Sequence, residues 1–202
     1  MIIILSIFII FLVISNIIRE KKLLETVTKS DRGTATERNL VLKLLKAGIP
    51  AQTIFHDLYI KTYSNHYSQI DLVVATRVGI LVFEVKDYSG WVFGTGYQPR
   101  WTQVLAYGKT KHQFYNPIMP NNKHIVDLRK QLGQFENIPF YSIVVFYGDC
   151  VFKNVAHLPE NIKSILSMKE TQTVPDANAG PTPNQSEVFR RLLFSVTRRS
   201  RR

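Results

Sequence analysis

The chain has 202 residues, 45% of them hydrophobic, enough for one domain with a proper core and too apolar for a disordered chain. Twenty-six Lys and Arg against 15 Asp and Glu give a net charge of +11, a surplus that favours polyanionic partners, either nucleic acid or an anionic membrane leaflet. A single cysteine, Cys150, rules out a disulfide framework and assigns the folded part to a reducing compartment. With no charged base beside it, Cys150 reads as a small core residue rather than a nucleophile.

Residues 1–18, MIIILSIFIIFLVISNII, carry no charged side chain, close to the shortest run that crosses a hydrocarbon core of about 30 Å as a helix. Arg19, Lys21 and Lys22 follow the run, and no small-residue cleavage site comes after it. That order fits an uncleaved single-pass anchor better than a cleaved signal peptide, and it keeps the C-terminal part in the cytoplasm. The expectation is a cell-membrane protein with residues 2–18 in the bilayer. Residues 19–32 read as a polar helical stalk.

In TATERNLVLKLLKAG the apolar residues Leu40, Val41, Leu44 and Leu45 form one helical face, stopped at Gly48 and Pro50. TIFHDLYIKT alternates and is rich in β-branched and aromatic residues, a strand near 53–61. QIDLVVATR and GILVFEVK are two more strands joined by a tight turn at 77–79, and GWVFG with RWTQVLAYG reads as a further short pair. IMPNNKHIVDLRKQL has Ile118, Ile125, Leu128 and Leu132 in helical spacing, FYSIVVFYG is a buried strand, and PENIKSILSM reads as a short helix with proline in its first turn. Residues 169–185 form a linker rich in Pro and polar residues, and 186–202 a basic amphipathic tail suited to phosphate or to anionic lipid. Residues 33–168 thus form a single α/β (α+β) domain, a mixed sheet flanked by helices.

The stretch GILVFEVKDYSG sets Glu84 and Lys86 on one face of an otherwise apolar strand. Asp71, in QIDLVV, stands about as far from the turn as Glu84 does, so the two carboxylates can approach across the hairpin. Carboxylates crowded in a partly buried sheet share a proton or bind a divalent cation, and hard oxygen donors suit Mg²⁺ or Mn²⁺. A lysine on the same face can orient a water or hold phosphoryl charge. The plainer reading is a structural ion pair of Glu84 with Lys86. Glu37 has a plain reading too, as the partner of Thr34 in a capping box at the helix start. Trp91, Tyr97 and Trp101 can stack on bases or simply pack.

GTATERN, QIDLVVATRVGILVFEVKDYSGWVFG, Trp101 and NPIMPNNKH together resemble the nuclease-related domain (NERD) of the PD-(D/E)XK superfamily. The resemblance covers roughly Gly33 to Leu132 and implies a PD-(D/E)XK-like core of order αβββαβ. It implies a D…E-x-K catalytic motif at Asp71, Glu84 and Lys86, with Glu37 as the helix glutamate and Gln69 as the polar residue before the aspartate. Metal would be held by Asp71, Glu84 and the backbone carbonyl of Val85, with Gln69, Asn116 and His124 as candidate substrate contacts, Asn116 reading equally as a helix cap and His124 as a surface residue. Thr36 departs from the family's usual glycine, and Pro120 from a glutamine common after N-P-x-x. The expected function is a membrane-anchored, Mg²⁺- or Mn²⁺-dependent nuclease-like protein hydrolysing phosphodiester bonds in DNA. The alternative is a non-catalytic module that keeps the nuclease fold to hold nucleic acid or a protein at the membrane.

Overall fold

The computed structural model describes residues 2–62, 66–77, 79–133 and 137–157, and the backbone of a strand at 162–167. The expected linker 169–185 and basic tail 186–202 lie outside the described residues. The first helix, α1 (Ile2–Glu25), is long and apolar enough to cross a membrane, and none of its apolar window is buried.

The stalk is shorter than its composition suggests. The helix expected through residue 32 ends at Glu25, where Thr26 turns its hydroxyl onto the Leu23 carbonyl and the chain continues in turns to Gly33. Threonine competes for backbone groups in this way, which is why it weakens helix interiors. Leu23, Leu24 and Val27 then pack against the domain core, and Glu20 pairs with Lys46. The segment is thus docked on the domain.

Helix α2 (Ala35–Lys46) starts at Thr34, whose hydroxyl accepts the Glu37 N–H at 3.3 Å and donates to Glu37 Oε1 at 2.7 Å. The cap expected from sequence is present, with the carboxylate bonded to the threonine hydroxyl. Leu40, Val41, Leu44 and Leu45 are buried on the predicted face.

A five-stranded sheet runs in the order β1 (Ile54–Lys61), β2 (Tyr67–Thr76), β3 (Gly79–Asp87), β7 (Phe140–Tyr147) and β9 (Ile162–Ser167). The first two ladders are antiparallel and the last two parallel. Helix α3 (Ile118–Gln131) leads into β7, and so forms part of the crossover that a parallel β3–β7 pair requires. Alternation along β7 divides the core, with Ile143 and Val145 facing α2 and Val144 and Phe146 facing the opposite side. The order α2, β1, β2, β3, α3, β7 matches the expected αβββαβ core.

Two expectations are corrected. The short pair after β3 is half of a second sheet of four strands, in the order β6 (Thr110–Tyr115), β5 (Arg100–Leu105), β4 (Gly90–Thr95) and β8 (Cys150–Ala156). The helix expected at 159–168 is instead strand β9, paired in parallel with Ser142–Phe146 of β7. Ile162, Ile165 and Leu166 fit a helical spacing, but the open edge of β7 supplies a ladder that overrides so short a pattern.

Trp101 is fully buried, donates its indole N–H to the Thr95 carbonyl at 2.9 Å and stacks on Phe146 at 6.2 Å. It therefore packs and does not reach a base. A Cβ on Gly94 would overlap the Trp101 ring, so Gly94→Ala is expected to lower stability by about 2 kcal/mol through overpacking. Denaturant melts of the two proteins check this; an unchanged midpoint would show that the ring has room to move.

Candidate active site

The β2–β3 ladder runs only from Thr76↔Gly79 to Leu72↔Phe83. One step further in the same register Asp71 stands opposite Glu84, and there the ladder opens. The Asp71 side chain takes the place of a backbone partner, with Oδ2 accepting the Val85 N–H at 2.7 Å. On the other side of β2, the β1 ladder skips the position that would pair Asp57 with Asp71, and Asp57 has φ of +51°. Asp71 therefore sits where both of its neighbours break step. In a strand the N–H and C=O of one residue point to the same edge, so the Val85 carbonyl faces the same opening as its N–H.

Glu84 and Lys86 project from β3 on the face that Val144 and Phe146 occupy in β7, as the parallel register Glu84↔Val144 and Lys86↔Phe146 requires. Lys86 Nζ is 2.6 Å from Glu84 Oε1. His124, from α3, puts Nε2 3.8 Å from Glu84 Oε2 and holds Nδ1 2.9 Å from the Ser68 hydroxyl. The ion pair that the plainer reading anticipated exists, and it stands beside the Asp71 carboxylate.

Burial and then the charge of Glu84 push the Asp71 carboxyl up to about 7, against the relief given by the Val85 N–H; Glu37 adds to the rise. Burial works to lower the Lys86 pKa, but Glu84 and Asp71 outweigh it and hold the ammonium above its ordinary value. Lys86 is accordingly a permanent cation at neutral pH. Burial brings His124 below the ordinary imidazole value despite Glu84, so its ring is mostly neutral at pH 7.

Glu37 is buried at the start of α2. Burial raises its pKa, but the His56 ring and the Thr34 hydroxyl more than compensate, and the net direction is downward. His56 Nε2 lies 3.3 Å from Glu37 Oε2, short of hydrogen-bond alignment, and His56 Nδ1 is 2.8 Å from the Thr28 hydroxyl. Gly33, at φ +56°, fits over this pair; a Cβ there would come within 2.5 Å of Glu37 Oε2 and 2.6 Å of the imidazole.

Gln69 donates to Asp57 Oδ1 at 2.7 Å, while Arg32 holds Asp57 Oδ2 at 2.7 Å and the Asp57 carbonyl at 2.8 Å. Asn116 takes the helix-cap role, one of its two readings from sequence. It is fully buried, its amide donates to the carbonyls of Thr95, Gly96 and Gln98, and its Oδ1 accepts the Ile118 N–H at the start of α3. With every polar atom committed, it positions α3. Asn121 likewise ties α3 to the Val82 carbonyl and the Ser142 hydroxyl.

His56, Thr28, Asp57 and Arg32 are the residues that sequence reasoning missed. Their partners are distant in sequence, and the single available sign was His56 on the inward side of a strand alternating with exposed Phe55.

Among the described residues, no three Asp, Glu, His or Cys side chains close into a metal cage. The donors at the opening are two carboxylates and a backbone carbonyl. That sparse, all-oxygen set fits Mg²⁺ or Mn²⁺, which keep several waters and use one or two carboxylates.

A family model described as the nuclease-related domain matches residues 32–147, a span that includes Glu37, Asp71, Glu84 and Lys86. An uncharacterized protein of Bacillus anthracis is 31% identical over 124 residues, covering 61% of this chain and 57% of that protein. The chain thus spans little more than half the length of that relative. No solved structure gives a significant match.

Proposed function

From the premise that the chain belongs to the nuclease-related domain family, we propose that it is a membrane-anchored, metal-dependent nuclease-like protein that hydrolyses phosphodiester bonds in DNA. The observation that carries this reading is the opening of the β2–β3 ladder at Asp71, with Glu84 and Lys86 beside it. A hairpin that closed completely would leave no such gap for a second carboxylate beside Glu84.

In this reading Asp71, Glu84 and the Val85 carbonyl would hold the cation, whose chemistry would be Lewis-acid polarisation of a phosphoryl oxygen and a more acidic water. Lys86 is protonated, so it does not act as the base; it orients the attacking water and balances charge that accumulates on the phosphate. Asp71 would have to be ionised for the site to accept a cation. Glu37, held by Thr34 and His56, adds negative charge behind Asp71. His124 stands beside Glu84 from α3. The +11 net charge draws the polyanion in, and α1 keeps the domain at a cytoplasmic membrane face.

The test is plasmid nicking by the full chain in non-ionic detergent, with and without Mg²⁺. Cleavage that needs Mg²⁺ and falls to background in a Glu84→Ala, Lys86→Ala double variant is expected; equal cleavage by the variant would sink the reading. One feature favours the non-catalytic module instead: Glu84 Oε1 is already satisfied by Lys86, as a purely structural pair would be. Calorimetry separates the two, since a structural pair gives no saturable Mg²⁺ site that Asp71→Asn removes.

A further inference from the structure

We propose that the outer face of the four-stranded sheet is a platform for single-stranded nucleic acid, on which bases stack against Tyr115 and Trp91 while Arg100, Lys111 and Lys153 meet the phosphates. The proposal rests on the nucleic-acid reading of the protein and gives it a binding surface that the carboxylate site does not provide.

Side chains alternate across a strand, and in this sheet Val92, Trp101, Phe114 and Phe152 turn inward onto Phe146 and Ile118. The intervening positions therefore face outward. Register sets them in rows: Tyr115 beside Arg100, Gln113 beside Thr102, and Lys111, Val104, Trp91 and Val151 across the whole sheet. Two contacts confirm the face. The Arg100 guanidinium lies 5.0 Å from the Tyr115 ring centre and the Lys153 ammonium 5.2 Å from that of Trp91. Tyr115 is 71% exposed, and Arg100 and Lys111 are exposed as well.

Charge identifies the occupant. No Asp or Glu occurs anywhere in β4, β5, β6 or β8, and none between Tyr88 and Val126. The five-stranded sheet, by contrast, carries Asp57, Asp71, Glu84 and Asp87. Cations on strands that carry no carboxylate, two of them laid over aromatic rings, are what a strand of bases and phosphates requires, since every base offers a π-face. A duplex would shield those faces, which is why the partner is single-stranded.

The alternative occupant of a basic face in an anchored protein is anionic lipid, and the topology argues against it. α1 packs with α2 on the Ile143 and Val145 side of the central sheet, whereas the four-stranded sheet packs on the Val144 and Phe146 side. The platform therefore faces away from the helix that leads to the membrane. It lies on the side from which Glu84 and Lys86 project, and β4 follows β3 after only Tyr88 and Ser89.

The experiment is fluorescence anisotropy of a labelled 20-nucleotide DNA strand with the full chain in non-ionic detergent and EDTA, so that binding is read without cleavage. Wild type is expected to bind the single strand more tightly than the matching duplex. A triple variant, Arg100→Glu, Lys111→Glu, Lys153→Glu, should bind at least tenfold more weakly and with a shallower salt dependence. Tyr115→Ala should weaken binding severalfold and leave the salt dependence unchanged. Melting curves establish that both variants fold. Unchanged binding in the triple variant overturns the proposal. So does unchanged binding in Tyr115→Ala together with equal competition by polyphosphate, because the face would then be a general anion surface or a lipid contact. Platform binding without any Mg²⁺-dependent nicking would sink hydrolysis and keep the platform; nicking with normal KM in the triple variant would do the reverse.

Discussion

Asp71→Asn is expected to make the metal-free protein more stable at pH 8 and to leave it unchanged at pH 4. The Asp71 carboxyl is raised from an ordinary 3.8 to about 7, first by burial and then by Glu84. Between those values the folded chain holds a proton that the unfolded chain has released, so stability falls as pH rises through the interval. The stability linked to a raised acid is complete below the unfolded pKa and gone above the folded one. A shift of this size corresponds to about 4 kcal/mol in full. Residual solvent contact at the opening reduces it, and a gain of about 3 kcal/mol for the variant at pH 8 is the expected figure. Asparagine keeps an oxygen for the Val85 N–H, so the comparison isolates the charge. Urea melts at pH 4, 6 and 8 in EDTA measure it. A variant no more stable than wild type at pH 8 would mean that the Asp71 carboxylate is neither buried nor crowded by Glu84 in the folded protein.

Saturating Mg²⁺ or Mn²⁺ should raise the melting temperature of wild type, and more at pH 8 than at pH 6. A ligand that binds only the folded state stabilises by about 2.7 kcal/mol at a hundredfold excess over its Kd. For a domain of this size that is roughly 8 °C. Binding requires the ionised Asp71, so at pH 6 part of the metal's affinity goes to expelling a proton. Glu84→Gln should remove most of the rise at both pH values. That variant also leaves Lys86 without its partner at 2.6 Å, so its metal-free melting point is not the informative quantity; the metal-induced shift is. An equal shift in Glu84→Gln would place the cation elsewhere.

Much of this arrangement could be read from local pattern. The β2–β3 hairpin has regular alternation and a single turn, so counting outward from residues 77–79 was enough to set Asp71 against Glu84, and the register agrees. Helices α2 and α3 were legible from the 3.6-residue spacing of Leu40–Leu45 and Ile118–Leu132. What stayed hidden depends on partners far along the chain. Strand β9 is a strand because β7 offers an edge, and nothing in IKSILS says so. From sequence Asn116 reads equally as a helix cap or a substrate contact; only the fold decides for the cap, with its amide tied to three carbonyls. The Thr28–His56–Glu37 chain joins residues up to 28 positions apart, with no periodicity to announce it.

The docking of α1 has a consequence for reach. The helix is continuous from Ile2 to Glu25, roughly 36 Å at 1.5 Å per residue, and Glu20 is already fastened to Lys46 two residues after the apolar run ends. A flexible tether would let a catalytic head sweep a hemisphere and would average over all its orientations. Here there is no slack to sweep with. With α1 in a bilayer, the head would behave as a fixture with one permanent attitude, and long polymers would have to thread past it by their own motion. Inserting a Gly-Ser spacer after Ile18 would convert that fixture into a swivel. The rate on long DNA would then change relative to the rate on short oligonucleotides, although no residue of the site had been altered.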